Sequence, residues 1–214
     1  MLMNEELIKD YIRNKNKMLA ANRSVLEQYN LYSQMISFLK DLTDVSLYEM
    51  KISLMAKSET FQKEIQKQQD ILQTEMNLKQ NYIQCFESKD VNWWSGEIKR
   101  MRSIQSGDQE KMYKRLLGYL SLASYSYSNN AVKQNDFSSA KKYLLIYKLS
   151  DPENSEQPFL EACMYARQGD QQMAIASLQE AIKLGLKDRM KIEGEESFNS
   201  LRSNPEFNKL VSQL

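Results

Sequence analysis

From Glu5 to Leu42 the apolar side chains fall at Leu7, Ile8, Tyr11, Ile12, Met18, Leu19, Val25, Leu26, Tyr29, Tyr32, Ile36 and Leu39. Steps of three and four dominate, which predicts helix with one buried face. Asn22 and Ser24 are both N-cap candidates for a second helix, and the spacing leaves one long helix or two open. Asp41 to Asp44 is the next break, with Thr43 or Asp44 as the following N-cap. Val45 to Glu87 contains neither Gly nor Pro and carries Leu47, Met50, Leu54, Phe61, Ile65, Leu72, Met76 and Ile83 at near-helical spacing. Glu59 and Lys63 add an i,i+4 pair in the favourable order, so one helix of unusual length is expected. The spacing Leu54, Phe61, Ile65, Leu72 hints at heptads, but Ser58, Gln68 and Glu75 are polar between them. An amphipathic helix packed within the fold is therefore favoured over a coiled coil. Homo-oligomerisation through this helix stays open.

After a turn at residues 88–91, Trp93 and Trp94 open a short helix closing near Gly107. Another starts at about Asp108 and carries Met112, Leu116, Leu117, Tyr119, Leu120 and Leu122. Here the pattern meets a repeat. With residues 121–154 set over 155–188, Ser128 falls on Ala162, Ala140 on Ala174, Leu144 on Leu178, and Asn135-Asp136 on Gly169-Asp170. A 34-residue period with small residues where two helices approach closely is the sequence form of stacked helix hairpins. Asp136 and Asp170 stand where N-caps are needed, Gly185-Leu186 suits a Schellman ending, and Asn204-Pro205 suits cap plus first helical residue.

Over roughly residues 110–214 the chain resembles the tetratricopeptide repeat family. Cys163-Met164-Tyr165-Ala166-Arg167-Gln168-Gly169-Asp170, with Ala174, Leu178 and Ala181, follows the family pattern closely. The first block has Ala140, Leu144 and a closing Pro152, but Tyr147 where a small residue is usual. Leu201 to Phe207 resembles the helical ending of many bacterial arrays. The resemblance implies an all-α protein: a helical region at 1–108, repeats at 121–154 and 155–188, and capping helices at 189–214. It also implies an inner, concave surface lined by Leu122, Tyr125, Asn129 and Lys133 from one repeat and Glu156, Phe159, Cys163 and Arg167 from the next. The expected function is a non-enzymatic interaction scaffold for a protein or peptide partner, with the N-terminal helices as the competing occupant of the groove. Some family members grip a C-terminal carboxylate with Lys and Asn at inner positions; Asn129 fits one of these, but Tyr125 stands where a Lys belongs and Leu160 where a second Asn belongs, which disfavours that variant.

Composition narrows the alternatives. Six Gly and three Pro in 214 residues leave few turns, which argues against a many-hairpin β fold. The absence of His removes His-based triads, His acid–base chemistry and His metal sites. With 29 basic and 28 acidic residues the net charge is +1. The charge is uneven, with residues 91–150 at about +6 and residues 151–214 at about −4. Lys99, Arg100, Arg102, Lys111, Lys114 and Arg115 beside Trp93 and Trp94 therefore form the second candidate, a nucleic-acid surface. A solvated helical face beside two core tryptophans is the favoured reading of that stretch. Cys85 and Cys163 are too few for a disulfide framework and read as inert thiols. The acidic run Glu193, Glu195, Glu196 lacks calcium-loop spacing. No cofactor, metal site or membrane span is expected, since the longest apolar run, Tyr143 to Tyr147, is far below the ~20 residues a span needs. Met1 to Asp10 lacks the apolar core of a secretory signal. That start reads as cytoplasmic, or as exported after earlier removal of a signal.

Overall fold

The computed structural model describes residues 2–21 and 23–214, with the side chains of residues 2–4 left aside. The fold is all-α, with no strand among the described residues. Among the described residues eleven α-helices follow one another: α1 Leu2–Ala20, α2 Val25–Leu39, α3 Ser46–Ala56, α4 Glu59–Ser88, α5 Val91–Ser103, α6 Gly107–Lys133, α7 Phe137–Ser150, α8 Glu156–Gln168, α9 Gln171–Lys183, α10 Arg189–Gly194 and α11 Pro205–Ser212. A 3₁₀ segment, Glu196–Leu201, lies between the last two. The chain divides into two compact units, Met1–Thr74 and Glu75–Leu214. The boundary falls inside α4, so residues 75–108 lie in the same compact unit as residues 109–214.

In the first unit, the apolar stretch before Leu42 is two helices. Ser24 starts the second: its hydroxyl accepts the Glu27 N–H at 3.2 Å, while the Glu27 carboxylate accepts the Ser24 N–H at 3.0 Å. This reciprocal capping box satisfies two otherwise orphaned donors. Asn22, the other candidate, lies outside the described residues. At the next break, Asp44 accepts the Ser46 N–H at 2.9 Å, although the residue in the cap position is Val45. The buried face of α2, Tyr32, Met35 and Leu39, packs with Val45 and with Tyr48, Ile52 and Met55 of α3.

The expected single helix from Val45 to Glu87 is broken at Ser58. The Ser58 hydroxyl donates to the Met55 carbonyl at 2.8 Å, ending α3, and accepts the Phe61 N–H at 3.2 Å, starting α4. One side chain closes one helix and caps the next. The heptad hint dissolves with it. Leu54 is exposed on α3, Phe61 is buried against Tyr29 with ring centroids 4.7 Å apart, and Leu72 is exposed again. Glu75, a polar position of that seam, is 3% exposed. Its carboxylate accepts from Arg115 Nε at 2.9 Å and Lys79 Nζ at 2.8 Å.

The second unit is built from hairpins. α6 and α7 form one and α8 and α9 the next, each joined by a short turn. Asn135 and Gly169 both hold left-handed backbone, at φ 57° and 82°. The following N–H bonds back five residues in each case, Asp136 to the Ala131 carbonyl and Asp170 to the Tyr165 carbonyl. That is the Schellman closure of a helix end. The next residue then caps the partner helix, Asp136 accepting from Ser139 N–H and Asp170 from Met173 N–H. Ser128, Ala162, Ala140 and Ala174 are fully buried, where helices approach too closely for larger side chains. Gly185 repeats the left-handed ending at φ 105°.

The period continues past residue 188. Asn204 caps α11 through the Glu206 N–H, so Asp136, Asp170 and Asn204 are N-caps at intervals of 34. The first helix of this third hairpin is split, because Glu195 adopts an extended backbone at ψ 119°. Its carboxylate accepts both the N–H and the hydroxyl of Ser197, at 3.0 and 2.7 Å. A cap placed in mid-helix ends one helical segment and begins another.

Candidate functional site

The eight residues expected to line a concave surface separate into two groups. Leu122, Tyr125, Asn129 and Lys133 follow steps of three, four and four along α6 and share one face. Leu122 is 69% exposed and Lys133 is exposed, whereas Tyr125 and Asn129 are half-buried. Tyr125 is held edge-on against Tyr147, with ring centroids 6.2 Å apart.

The α8 group meets the chain's own C-terminal segment. Phe159 is 3% exposed and Cys163 2% exposed, so Phe159 is packed away from solvent and Cys163 reaches the surface only at the cavity described below. Phe159 packs edge-on against Phe198, with centroids 5.8 Å apart, and Lys191 Nζ stands 4.5 Å from its ring centre. Glu156 is ion-paired with Lys191. Arg167 donates from Nε to the Ser197 hydroxyl at 2.9 Å. Burial, followed by the nearby Glu195 carboxylate, pushes the Cys163 thiol well above its ordinary range. The sequence pattern missed Lys191, Ser197 and Phe198. Ser197 lies 34 residues beyond Cys163, as Cys163 lies beyond Asn129, and that register was the available signal.

Where the split helix bends away, a cavity of about 320 Å³ opens. Asn129, Lys133, Arg167, Glu195 and Glu196 line it together with the buried Val132, Leu160 and Cys163. Its lining carries both cations and carboxylates, so its polarity is mixed rather than of one sign. It continues the exposed face of α6, and together they form the candidate site.

The basic stretch is largely engaged within the second unit. Arg100 binds Glu97 through two hydrogen bonds of 2.6 and 2.9 Å and also donates to the Tyr113 hydroxyl. Arg102 donates to the carbonyls of Leu149 and Ser150, Lys114 pairs with Glu110, and Arg115 pairs with Glu75. Lys99 and Lys111 are exposed. Trp94 is fully buried, with Phe86 5.1 Å and Trp93 5.1 Å away between centroids.

In the acidic run, Glu193 is paired with Arg189 and Glu195 is the cap described above. Among the described residues no group of three or more Cys, Asp and Glu stands together as a metal site. No helix among them is long and apolar enough to cross a membrane. No family model, no curated protein and no solved structure matches this chain.

Proposed function

We propose that this chain is a tetratricopeptide-type, non-enzymatic scaffold that holds a protein or peptide partner on the inner face of α6 and in the adjoining cavity. The observation that carries this reading is Leu122. A leucine 69% exposed heads a helix face that continues through Tyr125 and Asn129 to Lys133. An apolar side chain followed by an aromatic, an amide and a cation is the mixture that recognition surfaces use. The 34-residue recurrence of left-handed helix ends, N-caps and buried small residues supports the family reading.

The partner contacts α6 more than α8. Glu156 and Phe159 stabilise the C-terminal cap, and of that group Cys163 and Arg167 also border the cavity. A terminal unit that covers the open end of a stacked array is what such an array needs to keep its core from water. Nucleic acid is the lesser alternative, because four of the six cations in 91–115 already bind acidic groups or carbonyls.

The test is Leu122→Asp. It is expected to leave helicity and melting temperature unchanged while abolishing recovery of the partner that wild type retains at both low and high salt. Retained recovery places the site elsewhere. Wild-type binding that collapses log-linearly with salt would favour a phosphate-bearing partner instead.

A further inference from the structure

A second cavity, of about 520 Å³, lies between α10, the 3₁₀ segment and α11. It is separate from the α6 face and nothing in the proposed scaffold role uses it. Its floor is apolar, formed by Ile192, Phe198, Phe207 and Val211. Its rim carries two arginines, Arg189 and Arg202. That volume lies in the range of small-molecule pockets, which combine an apolar lining with a few polar groups that fix orientation.

The arginines meet at one residue. Arg189 donates from Nε to the Glu193 carboxylate at 2.8 Å, and Arg202 donates from Nη2 to the Glu193 backbone carbonyl at 3.0 Å. The cluster of two guanidinium groups and one carboxylate therefore keeps a net positive charge. Each guanidinium has five N–H donors in a planar fork, so both retain donors for a further acceptor. The other polar rim groups are turned to their own backbone, Asn208 to the Arg202 carbonyl and Ser212 to the Lys209 carbonyl. Charge and shape thus select one kind of occupant.

We infer that this cavity binds a small monocarboxylate with a compact apolar tail, the tail lying on Phe198, Phe207 and Val211 and the carboxylate meeting Arg189 and Arg202. Such a ligand buries hydrocarbon on the floor and takes charge-assisted, planar hydrogen bonds at the rim. A neutral ligand of the same shape keeps only the first contribution.

The test uses 4-phenylbutyrate and its neutral amide, with methyl resonances of Ile192 and Val211 in the full-length protein as the readout. The acid is expected to give saturable shifts at both methyls in the millimolar range or below, with the amide about tenfold weaker. Arg202→Gln is expected to weaken the acid severalfold and leave the amide unchanged, while circular dichroism stays that of wild type. Arg189→Gln is the second variant, should Arg202→Gln disturb the fold. Equal binding of acid and amide, the absence of saturable shifts at these methyls, or an undiminished response in the folded arginine variants overturns the inference. None of these outcomes touches the α6 face, whose test reads partner recovery.

Discussion

The Phe159 ring stands edge-on to the Phe198 ring, 5.8 Å between centroids at an interplanar angle of 88°. A residue of α8 that the sequence pattern expects on a groove is thereby part of the unit's own core. Phe159→Ala is expected to destabilise the second unit by about 3 kcal/mol, so lost partner recovery in that variant would report unfolding. Leu122→Asp, at an exposed position, is expected to change stability by less than about 0.5 kcal/mol. Urea unfolding of both variants followed by tryptophan fluorescence separates them, because Trp93 and Trp94 both lie in the second unit.

Asn135 and Gly169 make equivalent helix ends with different residues. Asn tolerates the left-handed region but still carries a Cβ, whereas Gly is indifferent to it. Asn135→Gly is therefore expected to be neutral or slightly stabilising. Gly169→Ala is expected to cost about 1 kcal/mol. A Cβ at position 169 would meet nothing within 4 Å, so the cost is conformational rather than steric. The urea midpoints of the two variants should move in opposite directions or leave only Gly169→Ala shifted.

The Ser124 hydroxyl is fully buried and has no hydrogen-bond partner. Removing an unpaired buried polar group recovers its desolvation cost, and Ala is also the better helix former. Ser124→Ala is expected to stabilise the protein by about 1 kcal/mol. A lower melting temperature for this variant would show that Ser124 has a partner in solution.

The Glu75 carboxyl is held below the ordinary carboxylate range, first by its hydrogen bonds from Arg115 and then, against the opposing effect of burial, by Lys79. Glu97 is lowered in the same direction, chiefly by Arg100. A depressed folded-state value means that the contribution is present at neutral pH. It is lost as pH falls from the unfolded-state value through the folded-state one. Stability measured by urea at successive acidic pH values should decline over that window. Glu75→Gln should be less stable than wild type at pH 7 and show a shallower acid decline. A wild-type slope retained in full by Glu75→Gln would remove Glu75 from the account.

The hairpin part of the fold was legible because its signals are local. Asp136, Asp170 and Asn204 cap helices through bonds to residues two or three positions away, and Ala140 and Ala174 mark close approach by their size. The breaks at Ser58 and Glu195 were not. Ser58 sits between Glu59 and good helix formers that fit a continuous helix equally well, and its choice of the Met55 carbonyl and Phe61 N–H is a property of the folded turn. The site was half legible. Helical spacing puts Leu122, Tyr125, Asn129 and Lys133 on one face, but burial of Phe159 and Cys163 depends on Lys191, Ser197 and Phe198, about 30 residues away. Likewise, Glu75 reads as a polar blemish in a heptad until Arg115, 40 residues on, is seen to hold it.

Site-specific photo-crosslinking in the native lysate separates a partner held on the exposed face of α6 from one held elsewhere. One full-length variant carries the photoreactive side chain at position 122, on the exposed face of α6. Another carries it at position 173, an exposed methionine of α9 in the unvaried chain. A partner held on α6 predicts a discrete protein or peptide adduct from position 122 that is absent from position 173 and is unchanged at high salt. Adducts of equal yield from both positions, or from position 173 alone, would contradict it.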